Sequence, residues 1–330
     1  MKFNQLPKLS VLSMVVATGA VTGLQGQTNG QNSSPSQLVD ALHTAFGNHH
    51  SRAVHAKGII LEGEFTPDPH AANWTEAFHL QGAKSSVVLR FSDFTGIPDI
   101  PDNVGAANPR GFAIKFQGED GMTTDIVGHS FNGFPTPNSD EFRELLLAIG
   151  ASGPEAVKPT ALDKFLASHP VAKTFLTTQK TPASYASISY FGVNAFRFTN
   201  KKGQTHYIRY QFIPEDGEEL LTAEQFANED ANYLQTEIKK RINAHPFRFK
   251  MYAQIAVEGD IIGDPSIAWP DSRQRVLLGI IEIRNLAANT PEYDKALSFS
   301  PNNIPSGIET ADPMLDFRSK AYPISVHERQ

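Results

Sequence analysis

Leu38, Leu42 and Phe46 stand four apart after Ser36, a spacing that predicts a short amphipathic helix over residues 36–49. The period then shortens towards two. Strand-like runs follow over 58–65, 86–92, 111–116 and 124–127, parted by Pro/Asp/Gly-rich connections such as Gly96-Ile-Pro-Asp-Ile-Pro-Asp-Asn103. Residues 138–170 turn helical, with Asn138 or Ser139 as a cap and Phe142, Leu145, Leu146 and Ile149 on one face. A second strand block covers 187–190, 195–199 and 206–212, the last two joined by a turn at Asn200-Lys-Lys-Gly203. Residues 223–243 read as one helix with Phe226, Tyr233, Leu234 and Ile238 inward, and strands over 249–257 and 276–284 close the pattern. The tail from Ser298 is Pro-rich until a final turn near 317–322. About eight strands in two blocks, with helices between and after them, predict an α+β fold. A closed antiparallel β-barrel with helical insertions leaves the fewest unpaired strand edges. Neither a solenoid repeat nor a second domain boundary is visible, so residues 37–330 are expected to form one domain.

The start of the chain follows another logic. Residues 1–26 hold Lys2 and Lys8, no acid, the apolar run from Leu9 to Ala20, and small residues around Ala17-Thr-Gly-Ala20 and Thr22-Gly-Leu-Gln-Gly26. That order describes a secretory signal peptide. The alternative is a single N-terminal anchor, for which about 20 apolar residues are wanted. Residues 27–36 are polar and Gly/Ser/Asn-rich, as in a flexible linker. No other stretch is apolar enough to span a bilayer, so the mature protein is expected to be periplasmic or secreted.

Composition narrows the chemistry. The 330 residues contain no Cys, which excludes thiolate nucleophiles, disulfides and Cys-held metal sites. The net charge is −6, and becomes −8 once the two lysines of residues 1–26 are removed. With no basic run, nucleic acid is a poor partner. There are 22 Phe against 8 Tyr and 2 Trp, which signals extensive dry aromatic surface.

Several polar segments interrupt the apolar pattern. They are Arg52-Ala-Val-His55-Ala-Lys-Gly58, Val88-Leu-Arg90-Phe-Ser92, Asn108-Pro-Arg-Gly-Phe-Ala-Ile-Lys-Phe116, Asp125-Ile-Val-Gly128-His129-Ser-Phe-Asn132-Gly-Phe134, Tyr190-Phe-Gly-Val-Asn-Ala-Phe196 and Arg318-Ser-Lys-Ala-Tyr322. Each alone reads as a loop, a turn or a surface contact. Arg318 and Tyr322 share a face if their turn is helical. In this order, across about 36–330, the segments resemble the haem catalases, and within them the small catalase-related peroxidases. The wrapping and C-terminal helical portions of full-length catalases are expected to have no counterpart in this protein.

The resemblance implies a haem b cofactor and roles for particular residues. His55 matches the distal histidine, which moves a proton between the two peroxide oxygens. A neutral imidazole suits that task. Ser92 matches the residue that hydrogen-bonds this histidine. Tyr322 matches the proximal ligand, its phenolate oxygen on iron, the ligation known for catalase. A free phenol ionises only near pH 10. Iron and the Arg318 cation one turn earlier would hold it as phenolate. Arg52 and Arg90 match positions that pair with the haem propionates, and Phe134, with Phe131 and Phe91, would wall the pocket.

One position departs from the pattern. Where full-length catalases carry an Asn whose amide helps hold peroxide, this chain has His129, and Asn132 lies three residues on. Either is a candidate for the distal role. Loss of the amide is expected to weaken H2O2 disproportionation relative to peroxidase turnover with an organic electron donor. A homodimer is a further expectation from the family. Two rivals remain from the sequence alone: a barrel that carries a hydrophobic ligand, and a haem enzyme that rearranges fatty-acid hydroperoxides.

Overall fold

A computed structural model describes residues 33–329. The signal-peptide expectation for residues 1–26, and most of the linker, lie outside this range. Eight antiparallel strands form two consecutive meanders. The first is β1 (Gly58–Pro67), β2 (Ser85–Ser92), β3 (Gly111–Gln117) and β4 (Thr123–His129). The second is β5 (Tyr190–Thr199), β6 (Thr205–Pro214), β7 (Phe247–Ile255) and β8 (Arg275–Leu286). A long β1–β8 ladder and a single pair, His129 with Phe191 between β4 and β5, close the barrel. A ninth strand, β9 (Ile308–Thr310), pairs with β5. Closure leaves the eight barrel strands without a free edge, as the two blocks of strand-like pattern anticipate.

Side chains alternate across the wall. Phe65, Phe91, Phe112, Phe116, Phe198, Phe212 and Phe249 point inward and pack with Tyr185, Tyr190 and Tyr210 into one dry core. This core absorbs much of the phenylalanine surplus. Phe91 is part of it, stacked on Tyr185 at 5.2 Å, so it does not wall a pocket as the sequence suggested. Its neighbours Arg90 and Ser92 necessarily face the other way.

Helices occupy the insertions. α1 (Pro35–Phe46) begins at a capping box made by Ser34 and Gln37. The connection from β4 to β5 carries α2 (Ser139–Gly150), α3 (Ala161–Ser168) and α4 (Pro170–Thr177), and that from β6 to β7 carries α5 (Ala223–Asn228) and α6 (Tyr233–Ala244). After β8 come α7 (Pro291–Ala296) and α8 (Pro313–Glu328). α1, α2, α4 and α8 share a second apolar cluster that includes Leu38, Leu42, Leu146, Phe175 and Phe317.

The helix expected over 223–243 is in fact two, α5 and α6. Buried charge breaks it. Asp102 accepts from the Leu234 N–H and donates its own N–H to the Ala231 carbonyl, which also accepts from Lys57 Nζ. Asp102 and Lys57 pair with each other beneath this segment, beside a second pair, Asp93 with Arg110. Satisfying these buried groups outweighs the weak helical preference of four residues.

Candidate active site

Strands β2, β3 and β4 present a polar row on the outer wall of the barrel. The register sets Ser92 opposite Gly111, and Gly111 opposite His129. The next outward residue of β3 is Ala113, so the wall is shallow at its centre. Over Gly111 lies the ring of His55. A Cβ on Gly111 would come within 2.6 Å of His55 Nδ1 and 2.3 Å of Ser92 Oγ. Only glycine fits there.

His55 is held from both sides of its backbone. Its φ is 59°, a left-handed conformation that side-chain-bearing residues adopt mainly where surroundings impose it. Its N–H donates to the Phe94 carbonyl at 3.0 Å, and its carbonyl accepts from Arg90 Nη1 at 2.8 Å. In the ring, Nδ1 lies 3.0 Å from the Asp93 carbonyl and 3.1 Å from Ser92 Oγ. A carbonyl only accepts, so the proton sits on Nδ1 and Nε2 keeps its lone pair. Burial first, then the Arg90 charge, pushes the His55 pKa down to about 3. The free nitrogen therefore belongs to a neutral base. Ser92 itself does not line the cavity; it positions the ring from behind.

Helix α8 faces this wall. Asp312 caps it, its carboxylate accepting from the Met314 N–H at 2.9 Å, and Pro313 fills the first turn. The second Asp312 oxygen accepts from Asn194 Nδ2 at 2.6 Å. Asn194 Oδ1 accepts from Arg318 Nη1 at 2.8 Å, and Arg318 Nη2 donates to Tyr322 Oη at 2.6 Å. Asn194 reaches this position because β5 bulges between Gly192 and Phe196. Arginine only donates, so its contact with Tyr322 is strongest when the phenolic oxygen is negative.

Between wall and helix lies a cavity of about 1410 Å3, including its open mouth. It is lined by His55 and His129 on one side, by Arg318 and Tyr322 on the other, and by apolar side chains such as Leu38, Leu42, Phe134 and Phe142 around them. Phe134 is among these lining residues. Phe131 instead packs on Phe175, with ring centroids 5.1 Å apart. Asn132 is half-buried and outside the lining.

Arg52, Arg90 and Arg329 gather at one edge of the cavity. Asp294 of α7 is the carboxylate they meet: Arg90 Nε donates to it at 2.8 Å and Arg52 Nη2 at 3.1 Å. Burial raises the Asp294 pKa, but the Arg90 charge and hydrogen bond, with help from Arg52, bring it below the ordinary carboxylate value. Burial and the nearby Arg90 charge likewise disfavour the Arg52 cation. Arg329 Nε is buried with no hydrogen-bond partner. Three cations against one acid is a cluster short of anions, which fits a ligand with carboxylates at one edge. The propionates of haem are such groups, and the residues present fit that cofactor. Arg329 escaped the sequence reading, although its position seven residues after Tyr322, two turns along the same helix face, was visible.

The catalase family model matches residues 37–330. The chain belongs to the catalase family. It is therefore an oxidoreductase acting on peroxide. It is 32% identical to a catalase-related peroxidase of Synechococcus elongatus, covering 90% of this chain and 88% of that protein. To a catalase-related peroxidase of Mycolicibacterium paratuberculosis it is 33% identical, over 90% and 95% of the two chains. Against a catalase of Vibrio vulnificus it is 28% identical, covering 82% of this chain and only 56% of the other. Among solved structures, a bacterial catalase superposes with a TM-score of 0.75 at 22% identity, over 98% of this chain and 67% of that one. Catalase A from Saccharomyces cerevisiae gives 0.74 at 23%, over 84% and 61%. These last two likenesses speak for the fold. Among the described residues no helix is long and apolar enough to cross a membrane, and no cluster of His, Asp or Glu forms a metal site.

Proposed function

We propose that the protein is an exported haem b peroxidase that reduces H2O2 or an organic hydroperoxide with electrons from an organic donor, and that disproportionates H2O2 only weakly. The carrying observation is one cavity with a neutral, tautomer-fixed imidazole on one wall and an arginine-bonded phenol on the other. A carrier of hydrophobic ligands has no use for either. Export is supported by the basic, then apolar, then small-residue order of residues 1–26. The peroxidase emphasis is supported by the two relatives named catalase-related peroxidase, which the chain matches over most of their length.

Tyr322 would hold the cofactor's iron, and Arg52, Arg90 and Arg329 its carboxylates, displacing or sharing Asp294. Haem, when bound, supplies the two electrons that cleave the O–O bond, and the organic donor restores them. His55 Nε2 takes the proton from one peroxide oxygen and passes it to the other, which leaves as water. A base with a pKa of about 3 holds a proton only in passing and returns it readily. The Arg318 guanidinium keeps its hydrogen bond to the Tyr322 oxygen throughout. The balance is one peroxide and two hydrogen atoms from the donor giving two waters. For an organic hydroperoxide, one product is the alcohol.

The absorption spectrum of the purified protein tests this directly. A Soret band with stoichiometric haem is expected, together with donor-dependent peroxide consumption and little oxygen evolution. A colourless protein refutes the haem reading; oxygen release that dominates peroxide consumption refutes the peroxidase emphasis.

A further inference from the structure

Three stretches of chain enclose the His55 ring: its own loop, the end of β2 at Ser92 and the start of β3 at Gly111. Within two positions of each stands a buried charge, Lys57, Asp93 and Arg110, and the β2–β3 connection adds Asp102. Two cations and two acids make a neutral cluster. Among the described residues, none of the four lines the cavity. A buried ion pair adds little net stability over an apolar replacement, because desolvation offsets most of the attraction. What a hydrogen-bonded pair does provide is direction, since each partner is held in one geometry.

Asp93 is the member that touches the base. Its N–H donates to the Lys57 carbonyl at 2.9 Å. Its Oδ1 accepts from Arg110 and, at 3.0 Å, from the Tyr185 hydroxyl. Arg110 is itself fixed, Nη2 donating to the Asp102 carbonyl at 2.5 Å, and Asp102 is paired with Lys57. With its nitrogen and its side chain both anchored, residue 93 has one direction left for its carbonyl, which lies 3.0 Å from His55 Nδ1. A turn of that peptide would tilt the imidazole and displace Nε2. Burial raises the Asp93 pKa to about 6 against the pull of Arg110. A proton would settle on Oδ2, which has no hydrogen-bond partner among the described residues, and both anchors on Oδ1 survive it.

We propose that the Asp93 carboxylate, anchored by Arg110 and Tyr185, is a positioning group that aims the residue's own carbonyl at His55 Nδ1 and so fixes where Nε2 meets the peroxide. This inference rests on the peroxide reading above.

The test compares two phenols in the haem-loaded protein. Tyr185→Phe removes one anchor of Asp93; Tyr233→Phe removes a bond of the same kind, to the Pro182 carbonyl at 2.8 Å, that does not involve Asp93. Their melts should fall by similar amounts, and both should keep full haem. Only Tyr185→Phe should slow the reaction with H2O2, by about three- to tenfold, as far as one hydrogen bond allows. Only Tyr185→Phe should move the His55 Nδ1–H resonance, read by NMR of the histidine-labelled ferric cyanide complex and assigned by its loss in His55→Ala. Asp93→Ala removes both anchors and should cost about 100-fold. Asp93→Asn, which restores an oxygen to accept them, should recover at least about tenfold of that loss. This second pair decides the matter if Tyr185→Phe loses haem. A Tyr185→Phe protein with the wild-type resonance, or no slower with H2O2 than Tyr233→Phe, overturns the assignment, as does an Asp93→Ala protein that reacts as fast as Asp93→Asn. A coloured, active wild type with unaffected variants refutes this inference alone, whereas a colourless wild type refutes the peroxide reading beneath it.

Discussion

Gly111→Ala is the smallest change that tests how the base is held. The added Cβ would lie 2.6 Å from His55 Nδ1 and 2.3 Å from Ser92 Oγ, where an ordinary contact begins at 3.4 Å. Something must move by about 1 Å. The strands have little freedom, because Gly111 is paired on both edges, to Ser92 and to His129. The His55 ring is therefore the part that yields, losing its bond to Ser92 and tilting away from the Asp93 carbonyl. A misplacement of this size costs on the order of 100-fold in rate, and overpacking adds about 1–3 kcal/mol of instability. The opposite wall is untouched, so haem occupancy should remain full. Stopped-flow measurement of the reaction with H2O2, beside a Soret titration and a thermal melt, separates these effects. Turnover within about threefold of wild type, at full haem content, would mean that the ring is not seated against Gly111 or that His55 is not the base.

What the sequence revealed of this fold and site follows from the range of the forces involved. The barrel strands were legible because alternation is local: each strand carries its own inward apolar residues, phenylalanine in all but β4 and β8, where Ile126 and Leu278, Ile281 and Ile283 serve instead. The same alternation would have placed Phe91 in the barrel interior, since Arg90 and Ser92 on either side both face the cavity wall. The length of α8 was not legible. Pro313 and Pro323 punctuate it, and although Met314, Phe317 and Ala321 share one stripe, Leu315 lies off it and the polar Arg318 and Tyr322 turn towards the cavity, so no clean apolar face runs its length. The split between α5 and α6 depends on Asp102 and Lys57, more than 120 residues away in sequence. Of the site, His55, Ser92 and Tyr322 stood out through the segments that resemble the catalases rather than by residue type, and the groups that orient them did not stand out at all. The Asp93 carbonyl, the Asn194–Asp312 link and the Asp294 contact with the arginines are distant in sequence or belong to the backbone. Asn194 lay within a recognised segment, yet only the β5 bulge gives it a role.

Three further outcomes bear on the assignments. Tyr322→Phe removes the one phenolic oxygen bonded to Arg318 in the cavity, and haem should be lost or bound weakly; a full Soret band of unchanged position would exclude Tyr322 as ligand. His55→Ala should keep haem and lose roughly 100- to 10,000-fold in reaction with peroxide, the usual worth of a positioned proton carrier, and a smaller loss would point to another base. The pH profile is the most discriminating. The base works as neutral imidazole, and its pKa lies near 3, depressed by burial and then by Arg90, with Arg318 and Arg52 adding and the Asp93 hydrogen bond opposing. The acid limb of kcat/KM should accordingly fall near pH 3, leaving activity flat through pH 6.5, where an ordinary histidine would lose it. Stability sets a separate limit. His55, His79 and His129 are all buried as neutral rings with pKa values near 3, while in the unfolded chain each takes up a proton below about pH 6.5. Their contribution is thus complete above pH 6.5 and declines as the pH falls towards 3. Burial raises Asp93 and Asp312 to about 6, which works in the opposite sense and softens the decline. Kinetics at pH 5, with a melt in the same buffer to show that the protein is folded, reads the two effects apart; an activity midpoint between pH 6 and 7 in folded enzyme would contradict the buried, neutral His55.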